Sequence, residues 1–165
     1  MIKIVNASVH RIPDIQKIAE ETWWPTYSDI LTSEQLRYML DNIYSTKSLS
    51  DAMSNGSQHF IMLEDDNGPQ AFASYGHRKE NETIFKLHKI YVRPGNQGKG
   101  YGKMLIDEIV SRLKLASVET LDLNVNRFNK AKTFYEKLGF KVIGEEDVPI
   151  GPYFMNDYIM RLSPL

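Results

Sequence analysis

The sequence predicts an α/β fold, a mixed, mostly antiparallel sheet of about six to seven strands flanked by helices, with a strand-helix-strand-helix unit at its centre. Three observations carry this. Apolar, strand-like runs at residues 59–63, 71–75 and 84–92 follow one another closely, the first two joined by an Asp-Asn-Gly turn, and read as an antiparallel meander. Two helical stripes come next, Met104, Leu105, Ile109, Val110 and Leu113, then Ala131, Phe134, Tyr135 and Leu138. Between them Leu121, Leu123 and Val125 alternate as a strand.

The remaining elements complete the sheet and one covering layer. Ile2, Ile4 and Val5 suggest a first strand, and Ile12, Ile15, Ile18, Ala19 and Trp23 a first helix, with a break expected at Pro25. Thr32 or Ser33 caps a second helix carrying Leu36, Leu40 and Ile43 on one face, and a shorter helical stretch lies near residues 49–53. Gly139 is a C-terminal stop for the helix before it. Two last strands are expected around residues 140–144 and 154–162. The turn-rich stretches are short connections, so the 165 residues are expected to form a single domain, with residues 1–57 a strand plus helices and residues 58–165 the sheet-rich core.

Composition narrows the function classes. A formal charge of −1 gives no electrostatic footprint for nucleic acid. With no cysteine there is no disulfide, thiolate metal site or Cys nucleophile, and the four histidines, His10, His59, His77 and His88, show no short ligand spacing, so no metal is expected. The N-terminal stretch lacks the apolar core of a signal peptide, and no apolar run approaches the roughly 20 residues needed to span a bilayer. A cytoplasmic location without membrane contact is the expectation.

The segment Gln97-Gly98-Lys99-Gly100-Tyr101-Gly102 stands between a strand and a helix. Glycines there let the backbone present successive N–H groups at a helix N-terminus, which favours phosphate. Two common nucleotide loops fail on spacing. Gly102-Lys103 is followed by Met104 rather than Ser or Thr, and the third glycine comes one residue early for GxGxxG. Taken by itself, the pattern is equally a tight turn with close helix packing.

The longer run from Ile90 to Leu105, a strand, a Pro-containing turn and then Gln97, Gly100 and Gly102 opening a helix, resembles the acetyl-CoA motif of the GNAT superfamily of N-acetyltransferases. Asn129-Lys130-Ala131-Lys132-Thr133-Phe134-Tyr135-Glu136-Lys137-Leu138-Gly139-Phe140 is similar to that family's second signature. The likeness covers residues 58–162 well and the first fifty or so in outline. It implies an acetyl-CoA cleft between two splayed, parallel central strands, with acetyl-CoA as co-substrate and no metal.

The resemblance also implies roles. The backbone from Gln97 to Lys103, with Gly98, Lys99, Gly100, Tyr101 and Gly102, would hold the pyrophosphate, with Lys99 and Lys103 adding charge. Ile90, Tyr91 and Val92 would pair with the pantetheine arm, the Val92 N–H would polarise the thioester carbonyl, and Asn129 would meet the pantetheine. Tyr135 would protonate the leaving thiolate; read by spacing alone, it is one aromatic on an apolar stripe. For the general base, alternation along the strands offers His88, whose ordinary pKa suits the task, and Asn124, which cannot take a proton. Glu21, Asp157 or water stay open.

The acceptor is expected to be a small amine. Trp23, Trp24 and Tyr27 in the entry helices, and Tyr153, Phe154, Asp157 and Tyr158 near the C-terminus, combine aromatics with a carboxylate, which suits a cation. Glu20, Glu21, Asp29, Glu145, Glu146 and Asp147 offer further negative charge. The layout of Trp24, Tyr27 and Asp157 is similar to bacterial spermine/spermidine N-acetyltransferases, which makes a polyamine the leading acceptor. Other amines, such as a protein N-terminus or a lysine, and a non-catalytic acyl-CoA sensor are the competing readings. A homodimer through the C-terminal strands is a further implication of the family.

Overall fold

A computed structural model describes all 165 residues. The strand β1 (Lys3–Asn6) leads through a single 3-10 turn, Val9–Arg11, into three helices, α1 (Ile12–Tyr27), α2 (Ser33–Ile43) and α3 (Thr46–Ser54). The meander β2 (His59–Asp65), β3 (Gly68–His77) and β4 (Ile84–Val92) follows. Then come α4 (Tyr101–Leu115), β5 (Thr120–Asn126), α5 (Ala131–Lys137) and the hairpin β6 (Lys141–Ile150) and β7 (Tyr153–Leu162). All seven strands form one sheet in the order β1-β2-β3-β4-β5-β7-β6, antiparallel except for β4 and β5. The expected fold class is what the chain adopts.

Alternation puts one apolar set on each face of this sheet. Leu63, Ala73, Leu87, Leu121 and Leu123 pack under α4 with Leu105, Ile109 and Leu113. Phe60, Met62 and Phe72 face the other way, against Ile15, Ile18, Leu36 and Leu49 of α1, α2 and α3. The side chains of Thr32 and Ser45 accept the N–H groups of Gln35 and Ser48, and so cap α2 and α3.

Two expectations need correction. Pro25 does not break α1, which runs on to Tyr27, with the Ser28 N–H donating to the Trp24 carbonyl. The proline costs the helix its own bond to the Glu21 carbonyl, in the last turn, and the bond from Ser28 to Trp24 closes the helix beyond it. The strand expected at residues 140–144 extends to Ile150, because β6 is an edge strand exposed along most of its length and so lacks the apolar alternation that would reveal it.

What positions the site is an interruption. The parallel pairing of β4 with β5 covers only Ile84↔Thr120 to Leu87↔Leu123, and past Leu87 the two strands part into a fork. A bulge contributes, since Lys89 lies opposite Ser74 and Leu87 opposite Tyr75, leaving His88 as the extra residue. The closed end is held by Asp122, fully buried, which accepts from Arg78 on one side and Arg161 on the other at 2.7–3.0 Å. Burial alone would raise its pKa; the two guanidinium groups outweigh it and hold the carboxyl below its ordinary value.

Candidate active site

The fork and the glycine loop form one side of the molecule. In an antiparallel ladder successive N–H groups point to alternate sides, and the Arg93 N–H is spent on the Gln70 carbonyl of β3. By that alternation the N–H groups of Ile90 and Val92 point into the fork. The loop then turns through Gly95, Gly98 and Gly100, all at positive φ, and Gly100 is the N-cap of α4. A Cβ built at Gly98 or Gly100 would meet nothing within 4 Å, so both face open space. The Gln97 side-chain carbonyl accepts from the Gly95 N–H at 2.9 Å and braces the turn. The first amides of α4, from Tyr101 to Lys103, have no carbonyl one turn back within the helix. A concave, amide-lined start of a 15-residue helix fits a pyrophosphate.

Three hollows with shared walls run from this loop to the far side of the sheet. The outer one, about 640 Å³, is lined by Ile90, Val92, Gln97, Gly98, Gly100, Tyr101, Gly102, Lys103, Phe134 and Tyr135. The middle one lies in the fork and shares Ile90, Val92 and Tyr135 with the first, adding Tyr27, His88, Tyr91, Asn124 and Asn129. The innermost shares Tyr27, His88, Lys89, Tyr91 and Asn124 with the middle one, and adds Trp23, Tyr44, Lys86, Asn126 and Asp157.

Tyr135 stands where the outer hollow meets the fork. Its ring packs edge-on against Phe134 and Phe140, and burial pushes its hydroxyl above the ordinary tyrosine pKa. It is therefore protonated at neutral pH, a proton donor in the cleft. Asn129 accepts the Ala131 N–H at 2.9 Å, which fixes it at the entry to α5 and in the lining of the fork. Tyr27 closes the fork from the α1 side, its hydroxyl 3.1 Å from that of Tyr91, and burial raises both phenols.

Several expected residues turn out to be otherwise engaged. Lys99 donates to Asn96 Oδ1 at 3.0 Å and lies over the Tyr101 ring, and Lys103 pairs with Asp107 at 2.6 Å. Tyr101 sends its hydroxyl to Asp65 at 2.7 Å, and its ring belongs to the core. Trp24 lines none of the three hollows. Its indole N–H donates to Glu20 and Arg37 lies over its ring, because it is the neighbouring Trp23 that α1 turns inward. Glu20 is paired with Arg37, Glu21 with Arg93, and Glu145 and Asp147 with Arg127, so most of the acidic charge expected for the acceptor is neutralised. Asp157 is the carboxylate that does line the inner hollow; burial raises its pKa, against the pull of Asn124 and Lys86.

His88 lines the fork as expected, but its chemistry differs from the expectation. Its ring is open to the cleft, yet confinement among protein atoms, then Lys86, Lys89 and Arg78, push its pKa down to about 3. Such an imidazole is neutral at physiological pH and a weak base. Substituting His88 by Gln is accordingly expected to leave the pH profile of kcat/KM unchanged between about pH 6 and pH 9. Disappearance of a limb near the ordinary histidine value of 6.5 would show that His88 titrates in turnover.

Sequence reasoning missed Lys86 and Lys89. Lys89 donates to Gln58 at 2.8 Å and lies over Tyr44 and Phe60, and burial with Lys86 nearby pushes it down to about 8. The available signal was two lysines inside an otherwise apolar strand.

A family model for an acetyltransferase (GNAT) domain matches residues 27–156, and the chain belongs to that family. The structure of PaiA N-acetyltransferase from Thermoplasma acidophilum in complex with coenzyme A superposes with a TM-score of 0.83 at 26% identity, covering 99% of each chain. The spermidine N(1)-acetyltransferase of Thermoplasma acidophilum is 26% identical over 143 residues, 86% of this chain and 89% of that protein. The ribosomal protein bS18-alanine N-acetyltransferase of Haemophilus influenzae is 40% identical over 57 residues, 34% of this chain and only 39% of that protein's length. No helix of the chain is long and apolar enough to cross a membrane.

Proposed function

We propose that the chain transfers the acetyl group of acetyl-CoA to a primary amine by direct attack in a ternary complex. The observation that carries this reading is the succession of adjoining hollows: anion-binding amides line the first, a carboxylate the last, and the Tyr135 ring stands between them. The co-substrate supplies the activated thioester. The loop amides bind its pyrophosphate, and the Ile90 and Val92 N–H groups face the arm and the carbonyl, where oxygen gains negative charge. Asp157 receives the acceptor's ammonium and takes its proton, a role its raised pKa favours over neutral His88 and paired Glu21. Tyr135 gives a proton to the departing sulfur, and the second proton, which the nitrogen sheds as the amide forms, passes through water to restore the phenol.

The acceptor class we assign is a polyamine. Asp157 with the aromatic wall of Trp23, Tyr27, Tyr44 and Tyr91 suits an ammonium on an aliphatic chain, and the Thermoplasma spermidine enzyme is similar over most of its length. A thiol-release assay over a panel of amines tests both levels. Turnover of spermidine or spermine is expected. Turnover of another amine with neither of these would remove the polyamine while keeping the chemistry, and coenzyme A binding with no thiol release from any amine would favour a sensor. The stretch similar to the bS18-alanine enzyme makes a peptide N-terminus the amine to include beside them.

A further inference from the structure

The Asn124 Oδ1 is the only buried side-chain nitrogen or oxygen of the protein without a hydrogen-bond partner. The reason lies on the other side of the same carboxamide, where Nδ2 donates to Glu146 Oε1 at 2.9 Å and to Asp157 Oδ2 at 3.2 Å. Turning the group over would set its oxygen against two carboxylates, so only one orientation is acceptable. The strand register builds this arrangement. Asp157 lies opposite Asn126 on β5 and opposite Glu146 on β6, and Asn124 is two residues from Asn126 on the same face. A buried acceptor with no donor is destabilising, and one that persists in a cleft calls for a donor from outside the chain. Asn124 lines both the fork and the inner hollow, between the thioester end and Asp157.

We propose that Asn124 Oδ1 and Asp157 together receive the two N–H groups of the attacking amine, the proton taken from the ammonium staying on one Asp157 oxygen while the other accepts, and that Glu146 is the positioning residue that keeps the carboxamide turned toward it. The proposal rests on the reading of the chain as an amine acetyltransferase. A neutral primary amine carries two N–H groups and one lone pair; with both hydrogens held, the lone pair is left to face the thioester carbon. A secondary amine, once it has given up its proton, has one N–H and satisfies one acceptor only, so the preference is expressed in turnover. The site therefore selects primary over secondary nitrogens, and on a polyamine it selects the chain ends. The oxygen is buried, so an amine reaches it by displacing a neighbouring side chain.

Steady-state kinetics on wild type, Glu146→Ala and Glu146→Asp, with a reactive primary amine and its N-methyl counterpart, test this. Glu146→Ala should raise the KM for the primary amine about tenfold and narrow the preference over the N-methyl amine, with the KM for acetyl-CoA and the thermal midpoint unmoved. Glu146→Asp should restore most of the loss. An amine KM within about twofold of wild type, a parallel rise in the acetyl-CoA KM, or equal use of both amines by wild type would overturn the proposal. Calorimetric binding of the primary amine to CoA-bound wild type and Glu146→Ala, run alongside, reads the site without turnover. Binding weakened in Glu146→Ala with no thiol release would refute the acetyltransferase reading and leave the amine site standing; equal affinity in the two proteins would refute the site.

Discussion

Gly100→Glu is expected to weaken acetyl-CoA binding at least about 100-fold, about 2.8 kcal/mol, while the chain still folds. Gly100 is the N-cap of α4 at φ +77, where an L side chain carries strain, and its Cβ would point into open space. The new carboxylate thus enters the outer hollow, beside the amides assigned to the pyrophosphate, and repels the anion they attract. Because nothing of the core is touched, the secondary-structure spectrum should be retained. Gly100→Ala separates the two effects, since it has the backbone strain without the charge, and should lose much less affinity. Calorimetric titration with acetyl-CoA decides the matter: an unaltered affinity in the glutamate variant would mean that the loop does not hold the phosphates.

Tyr135→Phe is expected to lower kcat about 100-fold or more and to leave the KM for acetyl-CoA close to that of wild type. The phenol is protonated at neutral pH, since burial raises its pKa, and the ring borders both the outer hollow and the fork. Phenylalanine keeps the edge-on packing against Phe134 and Phe140, so the change removes a proton donor and little else. A kcat within about threefold of wild type would assign the sulfur's proton to water or to another hydroxyl of the fork. Tyr27 and Tyr91, whose hydroxyls are 3.1 Å apart, would be the next to substitute.

The parts legible in the sequence are those where one pattern has one structural solution. The meander, α4, β5 and α5 show clean periods of two or 3.6, and the glycine spacing placed the loop at a helix start. Trp24 was misplaced because Trp23 and Trp24 are adjacent on a helix whose inward face differs between them by one position, and only packing decides which turns in. The charges misled for a related reason. Counting acids along the chain cannot reveal that Arg37, Arg93 and Arg127, distant in sequence, neutralise Glu20, Glu21, Glu145 and Asp147. His88 could be found by alternation, but its depressed pKa comes from Lys86, Lys89 and Arg78 gathered around it, which is a property of the folded sheet.

The parting of β4 and β5 after Leu87↔Leu123 gives the sheet two internal edges in addition to those of β1 and β6. Backbone groups along the fork are left for a ligand to satisfy, so a bound pantetheine arm would act as part of the architecture as well as a reactant. Binding to the folded state alone adds about 2.7 kcal/mol of stability at a ligand concentration 100 times Kd. The resistance of this protein to unfolding therefore follows its cofactor supply, and the open sheet is its least durable form.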